Sequence, residues 1–407
     1  MAKKPRVLLI ITLDTKEAEA KFVRKCLEDA GVDVVHLDAS IRKTLPGAEI
    51  GPEQVARAAG RTIEEVRAIG HEGKCQAVMT EGAVRLAQDL HRREGLSGVL
   101  AIGGSMGTVL ATGVMRALPF GLPKLMVSTM ASGMTRPYVG TRDIVMLHSV
   151  ADISGLNSVT RSVFRNGALA VAGMAHGYQA AAGSGKPLVL ITTLGTTERC
   201  ANRVRASLEE KGFETVVFHT NGTGGLAMDE IAREQNVAVV VDLSLVEVAD
   251  FLHNGLLSAG PDRCKAALEK GIPVVFAAGN IDFVVAGPLE DAKTRFPGKR
   301  YHVHNAALTA VRTEAPELIK VADHMAGLIA NAKGPVAFFV PMLGFSAHDS
   351  PEGHLHDLSL PPVFAAHLKQ VMPKGVPVIE LQKHINDPEF ADAIIEQVIR
   401  FQNARDR

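Results

Sequence analysis

The residues best suited to chemistry lie in one stretch, Val99-Leu100-Ala101-Ile102-Gly103-Gly104-Ser105-Met106-Gly107-Thr108. Its first four residues predict a buried strand, the glycines a turn, and Thr108 to Leu118 a mostly apolar helix. Gly103, Gly104 and Gly107 carry no Cβ, so a ligand can approach the backbone closely. A helix starting there aims unpaired N–H groups at the turn, which suits a phosphate, and the hydroxyls of Ser105 and Thr108 can add hydrogen bonds. The same letters spell G-x-S-x-G, the nucleophile elbow of α/β-hydrolases. On that alternative Ser105 attacks an acyl or carbonyl substrate in a cleft between lobes, Met106 N–H joins an oxyanion hole, and a later acid and His, for example Asp349 and His384, complete a triad. The loop is neither the dinucleotide G-x-G-x-x-G nor a Walker loop.

Other polar groups stand where strands end. Thr12, Asp14 and Thr15 follow the first strand; helix capping explains their types, and an acid at Asp14 also suits a ribose hydroxyl or a bound cation. Ser128 and Thr129, with Ser132 and Gly133, follow a later strand and suit either a pocket wall or a loop. Asp152 and Asn157 read as caps of a long helix. His302, His304, His348, His354 and His356, with Asp349 and Asp357, have spacings that suit a divalent ion. With 15 histidines in the chain such clusters arise by chance, so the segment is read as a surface loop and no metal is assigned.

The elements that position these residues follow from hydrophobic period. Val7 to Thr12 is a strand, Glu17 to Ala30 a helix ended by Gly31, and Val32 to Leu37 a second strand. Such a βαβ opening predicts a parallel sheet. Residues 39–61 read as an irregular excursion, followed by helices over Ile63 to Ile69 and Glu81 to Arg93. Strands over Pro123 to Val127 and Ile144 to Leu147 come next, then a helix from Ser158 to Ala182. Gly183 to Pro187 reads as a linker, because its Gly-Ser-Gly-Lys precedes a strand and lacks a following Ser or Thr.

Beyond the linker the chain repeats itself. Leu9-Ile10-Ile11-Thr12-Leu13-Asp14-Thr15-Lys16-Glu17 matches Leu190-Ile191-Thr192-Thr193-Leu194-Gly195-Thr196-Thr197-Glu198, and Val23, Leu27 and Gly31 match Val204, Leu208 and Gly212 at the same offset. The fold class is therefore α/β, with two Rossmann-like subdomains, each a parallel sheet with helices on both faces. The lobes span 1–182 and 188–407, joined by residues 183–187. The second lobe reads as strands over Glu214 to His219, Val237 to Val241, Pro273 to Ala277, Arg300 to His304, Val336 to Val340 and Val376 to Leu381. Its counterpart of the opening stretch, Val237 to Val241, has no glycine cluster after it.

Composition limits the partners. Lys plus Arg equals Asp plus Glu, 44 each, and aromatics are 4% with no Trp, which argues against nucleic acid. The four cysteines form no CxxC pair. The basic start, Met1 to Arg6, runs straight into a strand, and no apolar run nears membrane length, so the expectation is a cytoplasmic protein with no membrane partner.

Six motifs, in order, then resemble a known family. They are Leu13-Asp14-Thr15-Lys16, Gly103 to Thr108, Pro123-Lys124-Leu125-Met126-Val127-Ser128-Thr129, Asn221-Gly222-Thr223-Gly224-Gly225, Ser258-Ala259-Gly260-Pro261-Asp262-Arg263 and His384-Ile385-Asn386-Asp387-Pro388. Together they resemble the ATP-binding family named after the tomato protein that inhibits tomato mosaic virus replication. The resemblance covers essentially the whole chain. It implies nucleotide binding, with ATP (with or without Mg2+) as the ligand, and a homodimer or higher homo-oligomer. Met106 departs from the small residue expected in the glycine loop.

Overall fold

Parallel strands of mostly continuous apolar runs, buried on both faces, set both architectures. In the computed structural model, which describes residues 4–133, 135–180 and 183–405, the chain divides into two units at 182/183. The expected basic start (residues 1–3) and the expected end of the long helix (181–182) lie outside the described residues.

Unit 1 runs β1 (Arg6–Ile10), α1 (Leu13–Asp29), β2 (Asp33–Leu37), α2 (Pro52–Ala58), α3 (Ile63–Ala68), α4 (Glu72–Glu94), β3 (Gly98–Gly103), α5 (Ser105–Arg116), β4 (Lys124–Ser128), α6 (Arg136–Val139), β5 (Val145–His148) and α7 (Ser158–Gly177). Its five strands are all parallel, in the order β2-β1-β3-β4-β5. Successive side chains point to opposite faces, so each strand feeds two cores. Leu8, Ile10, Val99 and Ala101 pack against α2, α4 and α5. Val7, Leu9, Leu100 and Ile102 pack against α1 and α7. The direction in which successive strands are added reverses between β1 and β3. The helix after β1 covers one face and those after β2 the other, which opens a crevice at the C-terminal ends of β1 and β3.

Unit 2 runs β6 (Leu188–Thr193), α8 (Glu198–Glu210), β7 (Glu214–His219), α9 (Gly224–Glu234), β8 (Val237–Ser244), α10 (Val246–His253), α11 (Lys265–Lys270), β9 (Val274–Gly279), β10 (Phe283–Ala286), α12 (Leu289–Arg295), β11 (Tyr301–Asn305), β12 (Leu308–Arg312), α13 (Ala315–Ile329), β13 (Val336–Pro341), α14 (Leu360–Val371), β14 (Val378–Leu381) and α15 (Pro388–Arg405). Its parallel sheet has the order β14-β13-β9-β8-β6-β7. The run β7-β6-β8-β9 repeats β2-β1-β3-β4, so the duplicated letters correspond to a duplicated topology.

Several local expectations are corrected. The excursion over 39–61 contains α2, whose start carries Pro52 behind Gly51. The helix expected from Glu81 begins at Glu72, and the glycine-loop helix begins at Ser105 instead of Thr108. Asn157 caps α7 by accepting from Val159 and Thr160 N–H, whereas Asp152 accepts only from Ile153 N–H. The strand expected at Arg300 to His304 belongs to a separate antiparallel sheet, β10-β12-β11. Its other two strands, β10 and β12, were not expected: at four and five residues they are too short for a pattern to stand out from loop.

Asp250 ties α10 to that small sheet, accepting from Val285 N–H at 3.0 Å and Leu257 N–H at 2.7 Å. Burial pushes its carboxyl up to about 7, against hydrogen bonds that pull it down. The folded chain thus holds a proton that the unfolded chain releases near 3.8, and this contribution to stability falls as pH rises between those values. Denaturant unfolding across that range is expected to show wild-type stability declining relative to Asp250→Asn up to about pH 7, and levelling above it.

Candidate functional site

A recess of about 540 Å³ opens at the β1/β3 crevice of unit 1. Of the residues expected to bind a ligand, Thr12, Asp14, Thr15, Gly103, Gly104, Ser105 and Gly107 all line it. Thr108 and Ser128 do not; both are buried, and their hydroxyls bond each other at 2.6 Å. Thr108 Oγ1 also bonds Gly104 carbonyl oxygen, and Ser128 Oγ accepts from Met130 N–H. They brace the loop from behind, so the expected hydroxyl donation from Thr108 is spent within the fold. Thr129 Oγ1 lies 4.0 Å from where a Cβ on Gly104 would stand.

The floor of the recess is a helix N-terminus. Gly104 is the N-cap of α5 and supplies no side-chain hydrogen bond, and the first intrahelical bond is Thr108 N–H to Gly104 carbonyl. Gly104, Ser105, Met106 and Gly107 therefore keep N–H groups without a partner inside the helix. The glycines differ in why they are there. A Cβ on Gly103 would come within 2.9 Å of Gly107 Cα, so the turn itself needs that glycine. Gly104 and Gly107 have ordinary negative φ and nothing closer than 4.0 Å, so neither backbone nor packing requires them. What their missing side chains leave open is the recess.

The loop after β1 is held by residues after β2, which the sequence reading did not single out. Leu13 N–H donates to Asp38 and Asp14 N–H to Ser40 Oγ, at 3.1 and 3.0 Å. Thr12, the N-cap of α1, makes no capping bond; its hydroxyl lies 3.3 Å from that of Thr15. Asp14 Oδ2 accepts from Arg42 N–H. Asp38 is fully buried, and desolvation raises its pKa against the bonds from Ser40 and Leu13. Lys16 breaks the helical backbone of α1 (φ −138°, ψ 36°) and lines the recess. Gln76 Nε2 donates to the Met106 carbonyl and steadies the departure from a small residue there.

Unit 2 treats its glycine turn, Asn221 to Gly225, in the opposite way. The buried Glu247 carboxylate accepts from Gly222 N–H at 2.9 Å and from Gly225 N–H at 3.1 Å. Arg263 Nε reaches Glu247 at 2.8 Å, while its two terminal nitrogens grip Asp242 at 2.7 and 2.9 Å. The N-terminus of α9 thus carries its own anion. A Cβ on Gly225 would fall 1.9 Å from Arg263 Nε, so packing accounts for that glycine.

Asp349 and His384, the example acid and base of the hydrolase alternative, do not pair, and the described histidines and acids do not form a metal site. His384 Nε2 bonds the Ser346 carbonyl and Nδ1 accepts from Asn386 N–H, so no ring nitrogen serves Asp349. Asp349 pairs with Arg312 at 3.2 Å and accepts from Phe345 and Asp357 N–H. His302, His348 and His354 do cluster: His302 and His354 Nδ1 atoms face each other at 2.8 Å, and the His302 and His348 rings lie 4.1 Å apart. Burial and the neighbouring imidazoles push His348 down to about 4. Among the described residues, no group of three or more His, Cys, Asp or Glu side chains is placed to hold a metal ion.

The fold and this crevice define a two-unit, doubly wound α/β protein with an open helix N-terminus at the switch point of its first unit. The chain belongs to the uncharacterised protein family UPF0261, whose N-terminal domain matches residues 5–180 and C-terminal domain residues 186–402. A UPF0261 protein of Clostridium tetani is 36% identical over 398 residues, covering 97% of this chain and 98% of its own. The ToMV resistance protein Tm-1(GCR237) of tomato, Solanum lycopersicum, is 33% identical over 418 residues, which cover 97% of this chain but 55% of the tomato protein. Among solved structures, the thioesterase domain from the curacin biosynthetic pathway aligns at a TM-score of 0.26 and 11% identity, over 53% of this chain and 91% of its own. That likeness is too weak to bear on the chemistry. No helix among the described residues is long and apolar enough to cross a membrane.

The buried trio at the second turn makes a testable structural claim. Glu247→Ala leaves Gly222 and Gly225 N–H without their acceptor and Arg263 short of one carboxylate. It is expected to destabilise the fold by about 3–5 kcal/mol in denaturant unfolding.

Proposed function

We propose that unit 1 binds a nucleotide, with ATP as the first candidate, and that its phosphates sit on the N-terminus of α5. One observation carries this reading: Gly104 and Gly107 are demanded by neither backbone nor packing, yet they border unpaired N–H groups at the β1/β3 switch point. An anion there gains charge-assisted hydrogen bonds and a favourable helix dipole. Ser105, the first residue of α5 and exposed, adds a hydroxyl to the same wall. Lys16 brings a cation, and Asp14, on the loop after β1, suits a ribose hydroxyl or the Mg2+ that accompanies ATP. The resemblance to the tomato family supports the choice of ATP.

Gly107→Ala tests the reading because folding and binding should respond in opposite directions. Replacing a glycine inside a helix is expected to stabilise the protein by about 0.5–1 kcal/mol. The added methyl, next to the phosphate seat, is expected to weaken ATP binding about tenfold or more in calorimetric titration with Mg2+. Absence of ATP binding by the wild type, or unchanged affinity in the variant, overturns the proposal. Ester or thioester cleavage lost in Ser105→Ala would favour the nucleophile-elbow alternative instead.

A further inference from the structure

We infer that the preferred ligand of this recess is a nucleotide whose ribose carries a phosphate of its own, held at the end of β2 by Arg42 and Arg67. The inference rests on the nucleotide reading above and extends it to a ligand class.

The argument starts from the strand order. With β2-β1-β3 adjacent, two strand spacings of about 4.8 Å put the end of β2 roughly 10 Å from the glycine turn after β3. A nucleotide with its 5′-phosphates on α5 therefore extends its ribose across the loop after β1, past Lys16, towards β2. In dinucleotide folds the residues beyond that strand read the ribose: an acid takes its hydroxyls, whereas an arginine takes a ribose phosphate. Here the acid, Asp38, is fully buried and does not line the recess; its Oδ1 takes Leu13 N–H and Ser40, and its Oδ2 has no partner among the described residues and no exposure to the recess.

Two guanidiniums face the recess from this side. Arg42 and Arg67 line it together with Ala39, Ile41, Glu72 and His71, whose Nδ1 accepts from Lys74 N–H. Arg67 is pre-oriented: Nε donates to the Ile41 carbonyl at 2.7 Å and Nη2 to Thr44 Oγ1 at 3.3 Å. Arg42 meets only Glu72, at 3.7 Å, and both side chains are mostly exposed (73% and 66%). A pair that loose contributes little and yields readily to a dianion. Among the described residues no Phe, Tyr or Trp lines the recess, so the phosphates are the stronger handle for discrimination. Adenosine 2′,5′-bisphosphate, the phosphorylated half of a nicotinamide dinucleotide, and adenosine 3′,5′-bisphosphate, the corresponding half of coenzyme A, share this chemistry.

Calorimetric titration of the full chain with ADP and with each bisphosphate separates the outcomes, because all three ligands carry two phosphates. One bisphosphate is expected to bind about tenfold or more tighter than ADP, the margin of a charged hydrogen-bond set. In Arg42→Ala, an exposed position that the fold does not need, the bisphosphate should bind no tighter than ADP. The isomer that wins identifies the source of the phosphate. If ADP binds as tightly as both bisphosphates, or if the preference survives Arg42→Ala, the inference is wrong while the nucleotide reading stands. If none of the three ligands nor ATP binds, both fall together.

Discussion

The unpaired N–H groups at a helix N-terminus are the constraint around which both units are organised. Parallel strands connected by helices must bring helix starts to the C-terminal edge of the sheet, and each start leaves donors that want an anion. The two units meet this demand differently. Unit 2 satisfies the donors at Gly222 and Gly225 with the Glu247 carboxylate, and balances that charge with Arg263, which also pairs with Asp242, in a fully buried network. Unit 1 leaves the donors of α5 facing a recess. One framework, used twice, therefore has one closed turn and one open turn.

The open turn depends on support from several elements. Thr108 and Ser128 lock the back of the loop through their paired hydroxyls. Asp38 and Ser40 hold the loop after β1 from the next strand over. Such bracing keeps a loop in place before any ligand arrives, which lowers the ordering cost of binding. A buried carboxyl with a raised pKa is the energetic cost of that arrangement at Asp38, where desolvation outweighs its hydrogen bonds. The glycines tell the same story by elimination. Gly225 and Gly103 are explained by their neighbours, whereas Gly104 and Gly107 are explained only by the space in front of them.

Much of this was legible in the chain. The apolar runs at Val7 and Val99, the glycine stretch and the duplicated Leu9 and Leu190 segments pointed to parallel sheets in two lobes, because burial on both faces writes a continuous hydrophobic signature. Thr12, Asp14 and Thr15 were singled out beside Gly103 to Gly107, and the recess gathers them. The missed residues share a cause. Asp38, Arg42, Arg67, His71 and Gln76 come from the stretch over 38–76, where turns, the two short helices α2 and α3 and the start of α4 give a helical period at Ile63 to Ile69 but nothing that marks which polar side chains face a site. Of the β10-β12-β11 sheet only β11 was expected, because β10 and β12 are runs of four and five residues.

Sequence alone determined the strand and helix pattern, the internal repeat and the glycine turns, since these follow from local periodicity and from residues with unusual backbone freedom. It favoured the first unit, because the strand of the second that corresponds to Val99 to Ile102 has no glycine cluster after it, but it left open how the glycine turn Asn221 to Gly225 is satisfied. Only the tertiary structure shows Glu247, more than twenty residues further along the chain, seated on the N–H groups of Gly222 and Gly225. The physical reason is that an N–H group's need for an anion is local, whereas the carboxylate that answers it comes from wherever the fold brings one close.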